Sequence, residues 1–468
     1  MNGRHTKIVA TLGPATDPPG KLDELIAAGL DCARLNCSHG THDDLRRRAR
    51  EVREAAARAR RPIGLLFDLQ GPKLRLSAST ATRALELDDT VVFCGDAGGG
   101  DDRVVVDFPG FAGLVTERSE IVIGDGVPRL AVDSIQEGEV VARVRSAGPL
   151  SARKGINVTW ARPELPAITE KDVDDLALAA ELDADFVALS FVRSAADLNE
   201  LRTRLEAHGS QARLIAKIEK IEAYEQLDGI IAVSDGVMVA RGDYGVEAGV
   251  AHVPLMQKDT IYRATQAGKL VITATQMLES MIHASEPTRA EAADVANAVI
   301  DGTSAVMLSA ETSVGDFPVE AVRAMAEIAE AAEQAPEIHG RARELRGETT
   351  ASAVMHAAVE LADEVDAAAL VVPTSTGGAA RACAKYRRRR PIIALAYELR
   401  AANQLTLEWG VKPYAVAVAE TVDEMIDAAL EGARDHAGLP SGARVIVTAG
   451  RQTGTPGGTN LIMVREIP

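Results

Sequence analysis

The chain has 468 residues and a mass of 49.4 kDa, enough for about three domains of ordinary size. Hydrophobic residues make up 46% and charged residues 25%, and no apolar run approaches the roughly 18 residues that a membrane span requires. No secretory apolar stretch follows Met1, so we expect a cytoplasmic protein without a membrane partner. A net charge of −17 and an aromatic content of only 3% argue against nucleic acid as a partner.

Four cysteines, Cys32, Cys37, Cys94 and Cys383, form no CxxC pair and have no histidine at the spacing of a zinc site. A chain of this length can bury sizeable hydrophobic cores without covalent cross-links. We therefore expect reduced, buried thiols rather than disulfide bonds or a structural metal.

Short apolar runs alternate with helical patterns through much of the chain. Eight such runs are predicted as strands, at residues 7–11, 31–35, 63–68, 186–190, 214–218, 236–240, 270–275 and 304–308. They are mostly apolar rather than alternating, which is typical of parallel strands covered on both faces. The fold class is therefore α/β, and a (β/α)₈ barrel is the most economical arrangement.

The barrel rhythm is interrupted once and ends before the C-terminus. Between Lys73 and Lys154, short strand-like runs separated by Gly/Asp turns predict an inserted all-β lid at the carboxyl face of the barrel. A Glu/Ala/Arg-rich helical connector at 337–348 leads to a second α/β unit, with strands predicted at 369–373, 392–397, 413–418, 444–449 and 460–464. We assign 1–72 and 156–336 to the barrel, 73–155 to the lid and 337–468 to a C-terminal, regulatory domain.

Catalytic groups of such barrels emerge from the carboxyl ends of the strands, so polar residues there test for an enzyme. Six predicted strands are followed by such residues, namely Arg34, Asn36, Ser38, His39, Asp68, Lys217, Glu219, Arg241, Asp243, Thr275, Gln276, Ser309 and Glu311. This convergence predicts an enzyme.

The charges narrow the chemistry. Glu219 and Asp243, on adjacent predicted strands, supply two carboxylates to a cation such as Mg²⁺ and leave positions for substrate oxygens and water. Lys217 and Arg34 add positive charge for an anionic substrate, and the small residues at 242–245 let backbone N–H groups approach a carboxylate or phosphate. The alternative is that Lys217 and Glu219 merely pair with each other in the barrel mouth.

Five segments, in this order and spacing, resemble the pyruvate kinase family: RLNCSHG at 34–40, IAKIE at 215–219, MVARGD at 238–243, ATQMLESM at 274–281 and MLSAET at 307–312. The resemblance is strong in the barrel, moderate in the insertion and weakest in the C-terminal unit. It implies a glycolytic phosphotransferase that moves the phosphoryl group of phosphoenolpyruvate to ADP, giving pyruvate and ATP. It also implies a Mg²⁺ cofactor, with Mn²⁺ as a substitute, and a homotetramer.

The resemblance assigns roles to individual residues around the substrate. Glu219 and Asp243 would bind the Mg²⁺, and Lys217 would neutralise charge on the moving phosphoryl group and on the enolate that it leaves. Thr275 would lie beside the enolate carbon, on the route of its protonation. Backbone at Gly242 and Asp243 would hold the substrate carboxylate.

The remaining roles concern the nucleotide and the proton network. The resemblance implies that Arg34 contacts phosphate, that Asn36 and Arg75 lie near the nucleotide, and that Lys154 reaches nucleotide phosphates when the lid closes. Ser309 and Glu311 would belong to the network of water and protons.

Many family members need K⁺, held by a set that corresponds here to Asn36, Ser38, Asp68 and the carbonyl of Leu69. Those members have threonine where this chain has Leu69 and glutamate where it has Lys73. A lysine ammonium is itself a compact monovalent cation and can balance the charge that K⁺ otherwise balances. We therefore expect activity without K⁺; the alternative is that Lys73 is a solvated loop charge.

The C-terminal unit carries one candidate effector site. Its first predicted strand ends in Thr374, Ser375, Thr376 and Gly377, before a helix that carries Arg381. Hydroxyls and glycine at a helix start suit an anion, and family members often bind a phosphorylated effector at this place. Gly378 stands where a basic residue is expected, and a purely structural turn is an equal alternative.

Three neighbouring features complete these expectations. A Gly- and Thr-rich loop at 451–459 would close over an effector, and the basic run at 387–390 is expected to be a solvated helix end. Val158-Thr159-Trp160 replaces the family's leucine-proline-glycine turn, which we expect to alter the hinge of the lid.

Two other functions remain open at this point. A metal-dependent aldolase or lyase could use the same pyruvate enolate, but it would need neither a lid nor the nucleotide-facing Arg34, Arg75 and Lys154. A catalytically silent binding protein is expected to have lost at least one of the central polar residues, yet all are present: Lys217, Glu219, Asp243 and Thr275.

Overall fold

The computed structural model of the chain describes all residues except 1–2, 96–102, 125, 137, 160–165, 336–337, 339–348, 420 and 451–457. The first barrel segment contains β1 Lys7–Thr11, a 3₁₀ turn Pro14–Thr16, α1 Lys21–Ala28, β2 Cys32–Asn36, α2 His42–Ala59 and β3 Gly64–Asp68. Thr41 begins α2 with a reciprocal cap, in which its hydroxyl accepts from the Asp44 N–H and the Asp44 carboxylate accepts from the Thr41 N–H.

An all-β insertion follows β3. Its elements are β4 Leu74–Arg75, β5 Arg83–Leu85, β6 Thr90–Cys94, β7 Arg103–Val105, α3 Phe111–Leu114, β8 Glu120–Ile123, β9 Arg129–Gln136, β10 Glu139–Ser146, β11 Gly148–Leu150 and β12 Gly155–Val158. One sheet has the strand order β4-β12-β8-β9-β10-β6-β7, and β11 pairs with β5. Because β12 pairs with β4 and β8, this sheet continues to Val158, past the boundary predicted at 155.

The chain then returns to the barrel. Its elements are α4 Glu170–Glu181, β13 Phe186–Leu189, α5 Ala195–Ala207, β14 Arg213–Ile218, α6 Ile221–Glu225, α7 Leu227–Val233, β15 Gly236–Ala240, α8 Arg241–Ala248, α9 Val253–Gln266, β16 Leu270–Ala274, a 3₁₀ turn Glu279–Ile282, α10 Arg289–Asp301, β17 Ala305–Leu308, α11 Ala310–Ser313 and α12 Pro318–Ala332. The strands close in the order β1-β17-β16-β15-β14-β13-β3-β2, all parallel. They are buried almost throughout because helices cover their outer faces.

The C-terminal domain is a five-stranded sheet with helices on both faces. Its elements are α13 Thr350–Glu364, β18 Ala369–Thr374, α14 Gly378–Ala384, β19 Ile392–Ala396, α15 Leu399–Gln404, β20 Val411–Ala415, α16 Val422–Asp435, β21 Arg444–Gly450 and β22 Thr459–Glu466. The order is β20-β19-β18-β21-β22, with only β22 antiparallel.

The predicted fold class, a (β/α)₈ barrel with an inserted all-β lid and a C-terminal α/β domain, is confirmed. One C-terminal strand was misplaced: the strand predicted at 413–418 runs from Val411 to Ala415. Pro413 lies within it rather than at its start, which an edge strand such as β20 tolerates. The connector at 337–348, Ile338 apart, and most of the loop at 451–459 lie outside the described residues. The four cysteines are buried and form no disulfide bond with one another, and every described helix is too short or too polar to cross a lipid bilayer.

The C-terminal domain closes the amino end of the barrel. Leu407 is fully buried and packs with the residues that fill the barrel interior, among them Val9 and Met238. A side chain on Gly64 would place its Cβ 2.5 Å from Thr406 Oγ1, so the segment approaches the start of β3 directly. The N–H of Gly410 also donates to the carbonyl of His5 at 3.0 Å.

Two buried cations anchor the same junction. Lys7 Nζ donates to the carbonyl of Val411 at 2.6 Å, and burial lowers the pKa of Lys7 to about 8. Arg387 donates to the carbonyl of Thr303 and to Ser304 Oγ at 3.2 and 3.0 Å. The expectation that 387–390 is a solvated helix end is therefore wrong for its first residue, because Arg387 is buried against the barrel and its pKa falls to about 10.

We expect Leu407→Ala to lower the free energy of unfolding by about 2–5 kcal/mol, because it removes buried methyl groups and leaves a cavity at the barrel floor. Guanidinium denaturation followed by far-UV circular dichroism measures the change. Leu399→Ala is the matched control, since Leu399 is 59% exposed, and it should cost less than about 0.5 kcal/mol. Equal effects of the two substitutions would show that Leu407 does not support the barrel.

Candidate active site

A buried ammonium group lies at the carboxyl end of the barrel. Lys217 Nζ is 2.9 Å from Glu219 Oε1, 3.2 Å from Asp68 Oδ1 and 2.7 Å from Ser190 Oγ. Lys217 and Glu219 are two residues apart at the end of β14, so both side chains point to the same side of the strand. The ion pair between Lys217 and Glu219, which was the alternative interpretation of the sequence, does form, but Lys217 also contacts Asp68 and Ser190.

The neighbouring carboxylates fix the charge of Lys217. Burial alone would lower the pKa of Lys217, but Asp68 and Glu219 outweigh it and hold that pKa above its usual value. In the same way, burial would raise the pKa of Asp68, but Lys217 and Arg34 outweigh it and keep that pKa low. At neutral pH the site therefore contains a fixed ammonium beside an ionised carboxylate.

Glu219 is held in place by a backbone group as well as by Lys217, and its buried carboxylate suits a bound cation. Its Oε2 accepts from the N–H of Phe191 at 2.8 Å, and its side chain is only 1% exposed. Burial raises the pKa of Glu219, Lys217 opposes the rise, and nearby Asp243 adds to it. A divalent cation would relieve this crowding of two carboxylates.

The donor set suits a cation that keeps open positions. Among the described residues no cluster of three or more histidine, cysteine, aspartate or glutamate side chains could hold a metal. Two carboxylates, Glu219 and Asp243, fit Mg²⁺, which usually takes one or two carboxylates and completes its shell with water and substrate oxygens.

Thr275 and Gly242 meet beside this pair. The N–H of Gly242 donates to Thr275 Oγ1 at 2.8 Å, and the Thr275 hydroxyl donates to the carbonyl of Ala274 at 2.6 Å. Gly242 and Asp243 lie in the first turn of α8, where backbone N–H groups have no partner within the helix. The geometry thus offers an anion position next to a threonine hydroxyl.

Glu311 and Ser309 follow β17, and Glu311 contacts the loop after Thr275. Glu311 is buried, and its two oxygens accept from the N–H groups of Ser309 and Leu278 at 2.7 and 3.2 Å. Ser309 Oγ is buried and has no hydrogen-bond partner among the residues that the structure describes. Glu311 therefore ties the end of β17 to the loop that follows Thr275.

A cavity of about 470 Å³ separates the barrel mouth from the lid. Asp243 lies in its wall, and its basic lining residues are Lys73, Arg75, Arg153, Lys154, Arg193 and Lys220. Arg75 Nη1 donates to the carbonyl of Arg153 at 3.3 Å. The two sequence-predicted nucleotide residues Arg75 and Lys154 are therefore brought together in a cavity whose charge suits a polyphosphate.

The other predicted nucleotide residues lie at the end of β2. Arg34 donates from Nε to Asp68 at 2.7 Å and from Nη1 to Thr11 Oγ1 at 2.8 Å. Asn36 Oδ1 accepts from the N–H of Ser38 at 3.1 Å.

His39 received no role from the sequence. Burial lowers its pKa first, and the charges of Arg75, Lys73 and Arg34 lower it further. His39 therefore lies within the electrostatic influence of three basic side chains.

The structure brings together part of the predicted K⁺ set, but it does not bring the proposed substitute for K⁺, Lys73, to that set. The carbonyl of Leu69 accepts from Ser190 Oγ at 2.7 Å, and Asp68 is in the Lys217 cluster. Lys73 is exposed and packs near Gly155 of the lid, and its N–H donates to the carbonyl of Gly71 at 2.9 Å, whereas its side chain makes no hydrogen bond or ion pair with a described residue. The structure does not bring the Lys73 ammonium into contact with this set.

One lid contact was missed by the sequence reasoning. Asn157 Nδ2 donates to Glu247 Oε2 at 2.8 Å, and Lys220 Nζ lies 3.2 Å from both Glu247 Oε2 and Asn157 Oδ1. Arg129 also donates to the carbonyl of Val246 at 3.2 Å. Lys220 directly follows Glu219 and Glu247 lies one helical turn after Asp243, so the sequence marks both positions as near the site, but it does not indicate their contact with Asn157.

The altered hinge segment remains part of the lid sheet. The N–H of Thr159 donates to the carbonyl of Glu120, and Thr159 Oγ1 accepts from the N–H of Glu120, both at 3.0 Å. Trp160 lies outside the described residues. Val158 therefore ends β12, and the chain turns at Thr159, which stays bonded to Glu120 of the lid sheet.

The candidate effector turn is built as a cap. Gly377 has φ 81 and begins α14, and its N–H donates to Thr374 Oγ1 at 3.0 Å. Arg381 Nη2 turns back to the carbonyl of Thr376 at 2.6 Å. Burial, with Arg213 of the barrel adding to it, lowers the pKa of Arg381 to about 10.

Comparisons with known proteins agree along both halves of the chain. The family described as "Pyruvate kinase, barrel domain" matches residues 3–322, and "Pyruvate kinase, alpha/beta domain" matches residues 352–465. The pyruvate kinase of Geobacillus stearothermophilus is 42% identical, covering 99% of this chain and 80% of that relative. A pyruvate kinase of Mycobacterium tuberculosis is 41% identical (99% and 98% covered), as is that of Methylorubrum extorquens (98% and 97% covered).

The two matches account for the barrel and for the C-terminal sheet, and the relatives align over almost the whole of this chain. The Lys217 cluster and the basic cavity lie within the first of these matches. This chain therefore belongs to the pyruvate kinase family.

Proposed function

We propose that this chain transfers the phosphoryl group of phosphoenolpyruvate to ADP, giving pyruvate and ATP. The observation that carries the proposal is the buried Lys217 ammonium, 2.9 Å from Glu219, at the same end of the barrel as a lid cavity that is lined by Asp243 and by basic side chains. Family membership and the names of the relatives support the substrates.

The reaction breaks the bond between the enol oxygen and phosphorus and forms a bond from phosphorus to a terminal oxygen of ADP. Lys217 neutralises negative charge on the phosphoryl oxygens and on the enolate oxygen as that bond breaks. When bound by Glu219 and Asp243, Mg²⁺ supplies further neutralisation of substrate oxygens. The backbone N–H groups at the start of α8 orient the substrate carboxylate.

Protonation of the enolate and binding of the nucleotide complete the proposal. The enolate takes a proton at its terminal carbon, and Thr275 orients this proton route, with Ser309 and Glu311 behind it. The phosphates of the nucleotide are held by Arg34, Asn36, Arg75 and Lys154, and the basic charge of the cavity supports this assignment for the two residues that line it, Arg75 and Lys154. An aldolase or lyase would not need a lid cavity lined by basic side chains.

The family resemblance extends the proposal to a cytoplasmic homotetramer. It also extends to a phosphorylated effector bound by Thr374, Ser375, Thr376, Gly377 and Arg381. Burial lowers the pKa of Arg381 and the charge of the barrel's Arg213 lowers it further, which supports an electrostatic link between this turn and the barrel.

A coupled assay tests the activity itself. We expect pyruvate to form from phosphoenolpyruvate only when ADP and Mg²⁺ are both present, with EDTA abolishing it. Pyruvate release without ADP would favour a lyase, and tight substrate binding without turnover would favour a silent binding protein.

We expect Lys217→Met to lower kcat by about 10²–10³-fold, because a preorganised charge at the transferring group is lost. Steady-state kinetics with both substrates measures this. Lys21→Met is the control, since the Lys21 ammonium pairs with Glu24 at the surface and its loss should leave kcat unchanged. Near-normal turnover of Lys217→Met would remove the electrostatic role.

We propose that the enzyme works without K⁺. Leu69 is buried and offers no side-chain oxygen; burial lowers the pKa of His39, and the charges of Arg75 and Lys73 lower it further, so Lys73 adds positive charge to this region. We expect full activity in tetramethylammonium buffer, and we expect Lys73→Glu to create a K⁺ requirement. Little wild-type activity until K⁺ is added would contradict this.

A further inference from the structure

The loop after β16 carries two residues in an unusual backbone conformation. Thr275 has φ 68 and Gln276 has φ 53. A β-branched residue is rarely found in this left-handed region, because its side chain crowds the backbone. Such strain persists only where surrounding groups hold it, and it gathers at functional sites.

Arg241 is the group that holds this backbone. Its Nη2 donates to the carbonyls of Thr275 and Gln276 at 2.8 and 3.1 Å, and its Nε donates to the carbonyl of Thr275 at 3.2 Å. On the other side Nη1 donates to Asp294 at 2.6 Å. The Arg241 side chain is only 9% exposed, so its contacts with the Thr275 carbonyl are largely shielded from water, whereas the contact with the Gln276 carbonyl lies at the surface.

The next residue along the chain holds the side chain of the same threonine. The N–H of Gly242 donates to Thr275 Oγ1, so Arg241 and Gly242 grip Thr275 by its carbonyl and its hydroxyl. Together they fix the direction of the hydroxyl relative to Asp243, which follows directly in the chain.

We propose that Arg241 is a positioning residue that acts through Thr275 to set the geometry of enolate protonation. This inference rests on the proposed function, in which Thr275 orients the proton route. The competing explanation is that Arg241 only forms a structural ion pair with Asp294.

The chemistry of the guanidinium separates these two explanations. A planar fork with several N–H donors can hold two carbonyls and a carboxylate at once, whereas a lysine ammonium is a single point charge. Arg241→Lys therefore keeps the pair with Asp294 available but loses the grip on the Thr275 and Gln276 carbonyls. Asp294→Asn loosens the same guanidinium from the opposite side.

The readout is exchange of the methyl hydrogens of pyruvate with deuterated water, catalysed by the enzyme in the presence of Mg²⁺ and ATP and followed by NMR. We expect Arg241→Lys to slow this exchange on the order of 10–100-fold, more than it changes the KM for phosphoenolpyruvate. Asp294→Asn should slow it less. Arg263→Lys is the matched control, because Arg263 pairs with Asp228 and Asp259 on the barrel exterior, and it should leave exchange unchanged.

A double-mutant cycle with Thr275→Val tests the route of action. We expect Arg241→Lys and Asp294→Asn to have little further effect on exchange once the Thr275 hydroxyl is gone. Losses that multiply in the double variants, or unchanged exchange in Arg241→Lys, overturn the positioning role. Should Arg241→Lys fail to fold, as judged by circular dichroism, Asp294→Asn decides alone.

The same experiment separates this inference from the function on which it rests. A wild-type enzyme that turns over phosphoenolpyruvate while the cycle shows independent losses refutes only the role of Arg241. A wild-type enzyme that neither exchanges pyruvate hydrogens nor forms pyruvate refutes both.

Discussion

The site depends on the compensation of one buried charge. An ammonium in a barrel mouth is strongly destabilising unless carboxylates surround it. The partners of Lys217 come from neighbouring strands: Asp68 ends β3, Ser190 follows β13 and Lys217 itself lies on β14, while Arg34 of β2 shares Asp68. Because side chains alternate along a strand, a slip of one residue in any of these strands would turn a partner away. The strand register of the barrel therefore determines whether the buried charges of the active site are compensated.

The lid and the C-terminal domain use opposite ends of this barrel. Leu407 and Arg387 seal the amino end with apolar packing and with hydrogen bonds. The lid touches the carboxyl end through Asn157, which meets Glu247 and Lys220. Glu247 and Lys220 are each close in sequence to a carboxylate of the site. The orientation of the lid and the geometry of the site therefore depend on the same short segments. Function can vary at one end while stability is supplied at the other.

Sequence reasoning reached the barrel and the central residues because their signals are local. A buried strand followed by a polar residue is visible in the chain, and this rule placed Lys217, Glu219 and Thr275 at the same rim. Contacts between segments far apart in the chain leave no such signal. The Asn157–Glu247 bond joins the end of the lid to a helix of the barrel, and the burial of Arg387 depends on a domain docking that composition does not encode. Strand β20 was misplaced because a proline was taken as its beginning, although edge strands accept proline.

Part of the backbone strain in this molecule lies where chemistry is proposed. Phe191 and Thr275 both have positive φ, and both lie at the carboxyl ends of barrel strands. Each is held by a charged side chain: the N–H of Phe191 donates to Glu219, and the carbonyl of Thr275 accepts from Arg241. Such conformations are unfavourable by themselves and persist because a well-packed structure imposes them. The closed amino end of the barrel, with its apolar plug at Leu407, is a source of the stability that lets the opposite rim keep buried acids and left-handed backbone in place.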